Sequence, residues 1–425
     1  MRNRAVVALR PLSLLPLLLT AGALLAGPAG AWAQGRIVFT DMTIQKCEDF
    51  GACEWKLACA AGDGQPADIV DGASGKAART VKLGNALDVQ SFPVTLRCTL
   101  WEDDGVFGSS WKEAGEASVE LPAGGNFKID LGNMDQGGVR VKLIADSLEI
   151  AVAPPVAEPA PAAKARKPAA KPAKPAAPRQ YLGVFNPRDE GTAVVIGLDT
   201  EAFKARVDAL GAKGIKLYAL DTFEDGGKRL WSGIFRSAQD RVILLQSMEW
   251  DPFLAQWKKL SGSHMRLVDL EIHQEGGAPR FTGLYRHGTD TYSLWVGQDR
   301  EAFLKKCKEL AALKGMYVND LETYRPGSQV LYAAPFRTAV SEPEIWTYLE
   351  AAAFETKWQE AKGKGSQVTD VETYKDGGKR FYEATVVKQT AGEVALGLDQ
   401  AGFAKRWREL LDKGLRLVDM ETYRD

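Results

Sequence analysis

Pairs of carboxylates spaced two residues apart are the side chains in this sequence best placed to do chemistry. In a β-strand such residues point to the same face, so each pair presents two acids together. Paired carboxylates can perform general acid–base catalysis or bind a metal ion. An active site breaks symmetry, whereas this pair recurs, so we expect structural ion pairs with Arg229, Arg280 and Arg380 on neighbouring strands. The pairs are Asp269 with Glu271, Asp320 with Glu322, Asp370 with Glu372, and Asp419 with Glu421.

The other reactive residue types have simpler interpretations. Cys307 is the odd cysteine among five, which suggests a nucleophile. It stands, however, at a helix position filled in the other repeats by Val207, Trp257, Trp358 and Trp407, so we interpret it as a small buried hydrophobic residue. His264, His273 and His287 have no metal-ligand spacing, and the sequence contains no phosphate-binding glycine loop, zinc motif or nucleophile elbow.

The carboxylate pairs belong to a phrase that recurs about every fifty residues. A fixed period of that size indicates one supersecondary unit copied in series. The copies read Leu220-Asp221-Thr222-Phe223, Leu270-Glu271-Ile272-His273, Leu321-Glu322-Thr323-Tyr324, Val371-Glu372-Thr373-Tyr374 and Met420-Glu421-Thr422-Tyr423.

Each unit is predicted to be β-β-α-β. Asp199, Asp299 and Asp399 fit helix N-caps, and the helices carry an apolar stripe such as Phe203, Val207 and Leu210. Gly-Gly turns, as at 226–227, predict a hairpin that pairs the third strand with the first strand of the next unit. The two ends of the array could pair and close it. If the acidic faces then turn inward, a central acidic opening forms.

These strands, turns and Phe-x-x-x-Trp helices resemble the bacterial tandem-repeat module that also forms the N-terminal part of fungal polyglycine hydrolases. The resemblance covers residues 181–425. In those hydrolases the serine chemistry belongs to a separate β-lactamase-like domain, for which this chain has no room. The resemblance therefore implies the repeat without the catalytic domain.

The segment 35–153 is predicted to be an all-β sandwich, because short strand-like runs alternate with turn residues. Four cysteines lie in it and allow three pairings. We favour Cys47–Cys53 closing a short loop, and Cys59–Cys98 joining two strand positions that face the core.

Two acidic loops of this segment resemble those of the calcium-dependent, lipid-binding C-two-type β-sandwich found in protein kinase C and synaptotagmin. They are 48–55 and 100–105, the second followed by 115–122. The resemblance implies calcium as a cofactor and contact with a membrane surface. By position it implies calcium ligands at Asp49, Glu54, Glu102, Asp104 and Glu113. The alternative is a plain sandwich with solvated loop acids.

Residues 1–33 have the pattern of a signal peptide. Arg2, Arg4 and Arg10 precede a short apolar stretch, and Ala31-Trp32-Ala33 fits a cleavage site before Gln34. A periplasmic or secreted location follows, in which disulfides can form. Residues 154–179 are almost entirely Ala, Pro and Lys and are predicted to be a polyproline linker. It is either a passive spacer or a basic segment that binds an anionic polymer of the cell envelope. The net charge of −1 gives no indication of nucleic-acid binding.

The predicted fold is therefore multidomain α+β: a disulfide-bonded all-β sandwich, followed over residues 180–425 by five β-β-α-β repeats in a closed or strongly curved array. The predicted function is that of an exported, non-catalytic binding or scaffold protein. Its ligand would be an extracytoplasmic protein, peptide or glycan. A secreted, peptidase-like hydrolase using the repeat carboxylates is the alternative, and a purely structural envelope spacer is a third reading. Polar residues present in one unit alone would favour the hydrolase, and unit four diverges most, with Ser341-Glu342-Pro343-Glu344 before its helix.

Overall fold

The structure is a computed structural model that describes residues 32–46, 53–75, 79–103, 111–131, 138–151, 177–338 and 342–424. Residues 1–31 of the predicted signal peptide and residues 152–176 of the predicted linker lie outside these ranges. Within the described residues, no helix is long and apolar enough to cross a membrane.

The N-terminal domain is the predicted β-sandwich. One sheet has the order β3-β2-β6-β7, and the other contains β1, β4, β5, β8 and β9. Alternate residues of both sheets, including Phe39, Trp55 and Leu143, fill a core between them. The strands are β1 (Trp32–Lys46), β2 (Cys53–Ala61), β3 (Ala67–Gly75), β4 (Arg79–Lys82), β5 (Ala86–Val89), β6 (Val94–Asp103), β7 (Trp111–Leu121), β8 (Gly125–Leu131) and β9 (Gly138–Ile150).

A disulfide joins Cys59 to Cys98 inside this core. The two residues are directly opposed partners of antiparallel strands β2 and β6, and their Cα atoms are 4.1 Å apart. The alternating pattern that predicted two inward-facing cysteines thus gave this pairing correctly. Cys47 lies outside the described residues, as does the side chain of Cys53, so the Cys47–Cys53 pairing stays a prediction.

The repeat region follows the predicted order of two strands, a helix and a third strand. Its first two units are β10 (Arg179–Pro187), β11 (Thr192–Leu198), α1 (Thr200–Ala212), β12 (Ile215–Asp225), and β13 (Lys228–Ser237), β14 (Val242–Met248), α2 (Trp250–Gly262), β15 (Met265–Glu275). The third and fourth are β16 (Ala278–His287), β17 (Tyr292–Gln298), α3 (Arg300–Lys314), β18 (Met316–Val318) with β19 (Glu322–Tyr324), and β20 (Leu331–Thr338), β21 (Glu344–Leu349), α4 (Ala351–Gly363), β22 (Ser366–Asp376). The fifth is β23 (Lys379–Lys388), β24 (Glu393–Leu398), α5 (Gln400–Asp412) and β25 (Leu415–Arg424).

The predicted fold class is wrong in two respects. The protein is mostly β, about 60% strand with five short helices in the described residues, rather than α+β. The repeat strands also form separate sheets instead of a closed or strongly curved array, and no sheet of the described residues closes on itself or bends strongly. Each small sheet combines the second and third strands of one unit with the first strand of another, as in β14-β16-β15.

Pairing between units explains this division into sheets. In units one, two and four the third strand continues through a Gly-Gly turn into the next first strand, which then lies at the centre of the sheet. Both turn glycines have positive φ, for example 58° at Gly226 and 74° at Gly227, which only glycine adopts without strain. The first strand of the region, β10, pairs with β24 and β25 of the last unit.

The helices begin and pack as their sequences predict. The carboxylates of Asp199, Asp299 and Asp399 accept hydrogen bonds from the backbone N–H three residues on. The first aromatic residue of the predicted stripe is fully buried against its sheet, for example Phe203 and Phe403. The stripe is therefore part of the core.

The sandwich and the repeats are in direct contact. Strand β9 of the sandwich runs parallel to β11 and hydrogen bonds with it, so one eight-stranded sheet spans both domains. Asp146 of β9 is fully buried, forms an ion pair with Arg416 of β25 at 3.0 Å, and accepts a hydrogen bond from Thr192 N at 2.8 Å. A buried ion pair with this many partners locks the register of the two domains.

The two ends of the linker reach the same place on the surface. The Ala151 carbonyl and the Arg179 guanidinium both lie within 4 Å of the point where a Cβ would stand on Gly197. Ala151 N also donates to Ile196 O at 2.8 Å. The described residues on either side of 152–176 therefore lie close together, and the linker itself stays a prediction.

Candidate functional site

A row of four aspartates, one from each of units two to five, lies at a cavity between the third strands of the repeats. We call Asp269, Asp320, Asp370 and Asp419 the floor aspartates. A bulge precedes three of them: Val268, Thr369 and Val418 have no partner in the strand register. A bulge re-aims the side chains beside it, and here it turns each aspartate towards the preceding unit.

In unit three the aspartate is turned towards the preceding unit for a different reason. Pro335 of β20 has no N–H to give to a ladder, and the third strand is interrupted between β18 and β19. Asp320 lies in this gap. The sequence pattern predicted continuous strands and revealed neither the bulges nor this interruption.

Each floor aspartate uses one oxygen to bind the neighbouring unit. Asp269 accepts from Leu220 N at 3.0 Å, and Asp320 accepts from Leu270 N at 2.7 Å. Asp370 accepts from Leu321 N at 2.8 Å, and Asp419 accepts from Val371 N at 2.7 Å. These bonds satisfy backbone donors that a bulged strand leaves without a ladder partner. The recurrence of the acid therefore has a structural cause, which is the joining of successive units.

Unit one departs from this pattern. Ala219 occupies the position of the floor aspartate and contributes no carboxylate, so the row has a gap between units five and one. The Met420 N–H, which would meet a unit-one acid, instead donates to Asp419.

The cavity above the floor aspartates has a volume of about 380 Å³. Bulge residues form its walls, and rim residues at the strand ends include arginines already held by acids. Arg286 donates twice to Asp240, at 2.9 and 2.6 Å, and Arg337 donates twice to Asp290, at 2.8 and 2.7 Å. The lining residues besides the floor aspartates are Asn186, Arg188, Tyr218, Ala219, Asp240, Val268, Arg286, His287, Asn319, Arg337, Thr369 and Val418.

A second set of acids lies two residues further along each strand and does not line the cavity. We call Asp221, Glu271, Glu322, Glu372 and Glu421 the inner carboxyls. Ile272 N donates to Glu322 at 3.0 Å, and the Glu322 and Glu372 carboxyl groups hydrogen bond to each other. A bond between two carboxyl groups requires a proton on one of them.

Burial raises the pKa of every acid in the two sets. It raises the pKa of Asp221 and of Asp419 to about 7, and that of Glu322 to about 8. It also raises the pKa values of Asp269, Asp320 and Asp370 well above the usual range, and repulsion by neighbouring carboxylates adds to this. The pKa values of Glu271, Glu372 and Glu421 are raised for the same two reasons.

The expectation of ion pairs on these acids is wrong for the floor aspartates. Among the described residues, no lysine or arginine forms an ion pair with any of the four. Arg280 pairs with Glu249 and Glu275, and Arg229 with Glu224. Arg380 donates to the Thr373 hydroxyl and to the Arg424 carbonyl. The hairpin acids and the acids before the helices took the arginines that strand spacing alone assigned to the pairs.

Cys307 lies on α3, half-buried against the core cluster that contains Phe303 and Leu310, and burial raises the pKa of its thiol to about 12. A thiol with that pKa is a poor nucleophile, in agreement with the packing interpretation. His273 is buried against Trp231, with ring centroids 5.7 Å apart, and burial together with Arg229 and Arg280 lowers its pKa to about 4.

The sheet of unit four contains, on the first strand of unit five, a polar residue that the sequence analysis missed. Glu383 is fully buried at a position held in the other units by Ser232, Thr282, Ala333 and Leu182. It accepts from Tyr332 Oη at 2.8 Å and from Tyr348 N at 3.1 Å, and burial raises its pKa to about 7. Aligning the five units position by position would have revealed it.

Tyr348 itself replaces a small residue. It has φ of 60°, where the other units place Gly197, Ser247, Gly297 and Gly397, and its ring stacks on Phe381 with centroids 4.0 Å apart. A bulky residue at positive φ is strained, and here the Glu383 bond and the ring stack hold it. Thr282 accepts from Ser247 N in the same way in unit two, at 3.0 Å.

The predicted calcium ligands are only partly within the described residues. Asp49 and Asp104 lie outside them. Glu54 faces Asp103 across β2 and β6, Glu102 faces Lys112, and Glu113 faces Trp101. No group of three acidic, histidine or cysteine side chains in the described ranges could hold a metal ion. Because two of the five predicted ligands lie outside the described residues, the calcium site stays a prediction.

The comparisons with known proteins concern both parts of the chain. The family of polyglycine hydrolase-like structural repeats matches residues 390–425, which contain β24, α5 and β25, so the predicted repeat resemblance is confirmed for that segment. No curated protein sequence matches the chain significantly.

Among solved structures, the C-two domain A of a plant extended synaptotagmin 1 is 7% identical and covers 28% of this chain and 95% of its own, with a TM-score of 0.23. A structure described as a C-two domain is 11% identical and covers 27% of this chain and 97% of its own, with a TM-score of 0.21. The paired C-two domains A and B of extended synaptotagmin 2 are 9% identical and cover 68% of this chain and 100% of their own, with a TM-score of 0.22. These are proteins of the kind that the acidic loops resemble. TM-scores this low carry no conclusion about this chain.

Proposed function

We propose that this protein is an exported, non-catalytic binding protein whose cavity receives a basic group of an extracytoplasmic protein or peptide. One observation carries the proposal: four aspartates from four units meet at one cavity, and no lysine or arginine of the described residues pairs with them. A positive charge placed there would meet several carboxylates at low effective dielectric, where attraction is strong. The basic and apolar N-terminal segment supports the proposal of export.

Of the ligand classes considered from the sequence, a protein or peptide suits the cavity better than a glycan. The only phenyl, phenol or indole ring among the lining residues is that of Tyr218, and the Arg236 guanidinium already covers it at 3.5 Å. A neutral sugar would gain no charge attraction and no free aromatic face here. The acidic floor favours a cation.

The hydrolase alternative gains no support from unit four. Glu383 is the symmetry-breaking acid, but its side chain has no exposed surface and is held by Tyr332 and Tyr348. The floor aspartates occur in four units and are bound to backbone N–H groups, which is a structural use. A hydrolase would need a carboxyl pair unlike the others beside an open cleft.

For the sandwich we keep calcium binding and membrane contact as a proposal. Glu54 and Asp103 are two acids at directly opposed register positions at the ends of β2 and β6. Trp111, 36% exposed, faces Asp103 at the same end of the sheet. Calcium should raise the melting temperature of the full chain, and no rise at millimolar calcium would end this proposal.

Calorimetric titration of the full chain with three blocked tripeptides tests the cavity. Their central residues are arginine, lysine and glutamate, and an oligosaccharide serves as a fourth ligand. We expect heat only from the basic peptides, and its loss in the double variant Asp320→Asn, Asp370→Asn. Asp208→Asn on the exposed face of α1 is the matched control. Equal binding by the glutamate peptide, or unchanged binding by the double variant, would refute the proposal.

A further inference from the structure

The carboxylates at the rim of the cavity and those at its floor have different bonding partners. At the rim, Asp240 and Asp290 each hold an arginine of the protein through two N–H···O bonds. At the floor, each aspartate spends one oxygen on a backbone N–H, and no arginine or lysine of the described residues neutralises it. The acids at the rim are thus paired with arginines of the protein itself, whereas the floor aspartates are left to pair with a group from outside the protein.

A second observation points to a ligand. Asp269 is only 6% exposed, lines the cavity, and its Oδ1 atom has no hydrogen-bond partner in the described residues. A buried acceptor without a donor costs free energy comparable to a lost hydrogen bond. Because this atom has almost no accessible surface, a donor in the cavity would remove that cost once the Asp269 side chain turns towards it.

The spacing of the floor aspartates favours one kind of hydrogen-bond donor over others. No three of the acidic groups in the described ranges lie close enough to hold one metal ion, so a compact cation cannot reach them all. A guanidinium spreads five N–H donors over a plane, and it gives up water more readily than an ammonium does. The four carboxylates are distributed over units two to five, which matches a flat, extended donor better than a point charge.

Resting on the proposed function above, we infer that the cavity binds the guanidinium group of an arginine side chain in a peptide or protein ligand. The floor aspartates, Asp269 first among them, accept its N–H groups. Uptake of the guanidinium is coupled to release of protons from the carboxyl cluster.

Proton release follows from the geometry of nine acids packed together. Without a cation, burial and mutual repulsion raise the pKa values of these groups, that of Asp419 to about 7, so the empty cavity keeps protons to higher pH than free carboxyl groups do. A guanidinium favours the charged carboxylates and displaces protons, so its affinity should rise between about pH 6 and pH 8. The charged or titratable groups that face the floor aspartates are the inner carboxyls Asp221, Glu271, Glu322, Glu372 and Glu421, Arg229 beyond them, and at the rim Arg188, Asp240, Arg286, His287 and Arg337.

The test is calorimetric titration of the full chain with N-acetyl-L-arginine methylamide. The matched lysine and citrulline compounds are titrated alongside, and so is free arginine. Citrulline keeps the shape and loses the charge. Each titration is run at pH 6 and pH 8 in two buffers of different ionisation enthalpy, which counts protons released.

We expect the blocked arginine to bind at least tenfold more tightly than the lysine compound, with no detectable citrulline binding and with proton release. Asp269→Asn should weaken arginine binding at least tenfold. The amide still accepts from Leu220 N, so the fold should survive, which circular dichroism checks. Asp320→Asn should behave in the same way, whereas Asp208→Asn on α1 should not change affinity.

The outcomes separate this inference from the proposed function. Lysine binding as tightly as arginine, or arginine binding with no proton release, would overturn the guanidinium inference and leave a general basic ligand. Tighter binding of free arginine than of the blocked compound would contradict a peptide source. Failure of every basic compound to bind would overturn both.

Discussion

Replacing Asp419 by asparagine should stabilise the ligand-free protein at high pH and leave it unchanged at low pH. Asp419 accepts from Val371 N at 2.7 Å, and an asparagine oxygen can accept the same bond. The substitution therefore removes charge while keeping the hydrogen bond. Asp419→Ala removes both, so it should cost ~1–3 kcal/mol at low pH, where the Val371 N–H is left unsatisfied, and less at high pH, where loss of the buried charge offsets this cost.

The magnitude follows from the pKa of Asp419, which burial raises from 3.8 to about 7. The unfolded chain loses this proton first, so the stability due to the protonated acid is complete below about pH 4 and is lost as the pH rises through about 7. Each pKa unit corresponds to ~1.4 kcal/mol, which gives a ceiling of roughly 4 kcal/mol. Neighbouring acids relax when one charge is removed, so we expect about 1–3 kcal/mol at pH 8.

Urea denaturation followed by tryptophan fluorescence measures this effect, and urea carries no charge that could occupy the cavity. Wild type, Asp419→Asn and Asp419→Ala are compared at pH 3.5 and pH 8, with Asp208→Asn as the surface control. The asparagine variant should unfold at higher urea than wild type only at pH 8. If it unfolds at lower urea at pH 8, the carboxylate stabilises the fold when charged, and the electrostatic account of the cavity is refuted.

Three other predictions concern the rest of the molecule. Proteolysis at the lysines of the segment 152–176 should leave the two halves together on size-exclusion chromatography, because β9 pairs with β11 and Asp146 with Arg416; separation of the halves would contradict the observed docking. Asp146→Ala leaves Arg416 buried without its partner and should destabilise the chain by ~3–5 kcal/mol in urea, whereas a change below about 1 kcal/mol would show that the pair is dispensable. Replacing Cys59 and Cys98 with alanine opens a link between residues 39 apart, which should cost about 4 kcal/mol, and an unchanged melting temperature would show that the sandwich does not depend on the disulfide.

Local patterns in the sequence predicted the parts of the fold that local physics decides. The three N-cap aspartates, the Gly-Gly hairpins and the opposed Cys59 and Cys98 each follow from one short segment and its backbone preferences. Pairing of third strands with the next first strands was predicted, and so was pairing of the two ends of the array, which β10 and β25 show. The division into separate sheets did not follow, because a short-range pattern does not show where a sheet stops.

The residue types of the candidate site were predictable from the sequence, but their arrangement in space was not. The acid pairs were visible, but the bulges at Val268, Thr369 and Val418 that aim them into a cavity leave no signal in an alternating pattern. The arginines were assigned to the wrong acids because strand spacing ignores competing carboxylates in the hairpins. Glu383 stands out only when all five units are aligned.

A crystal structure of the full chain with bound N-acetyl-L-arginine methylamide at pH 8 tests the central claim most directly. The account predicts a planar guanidinium in the cavity, with its N–H groups within hydrogen-bond distance of Asp269 Oδ1 and at least one other floor aspartate. A cavity that contains only water at saturating ligand, or a ligand bound through the rim alone, would contradict it.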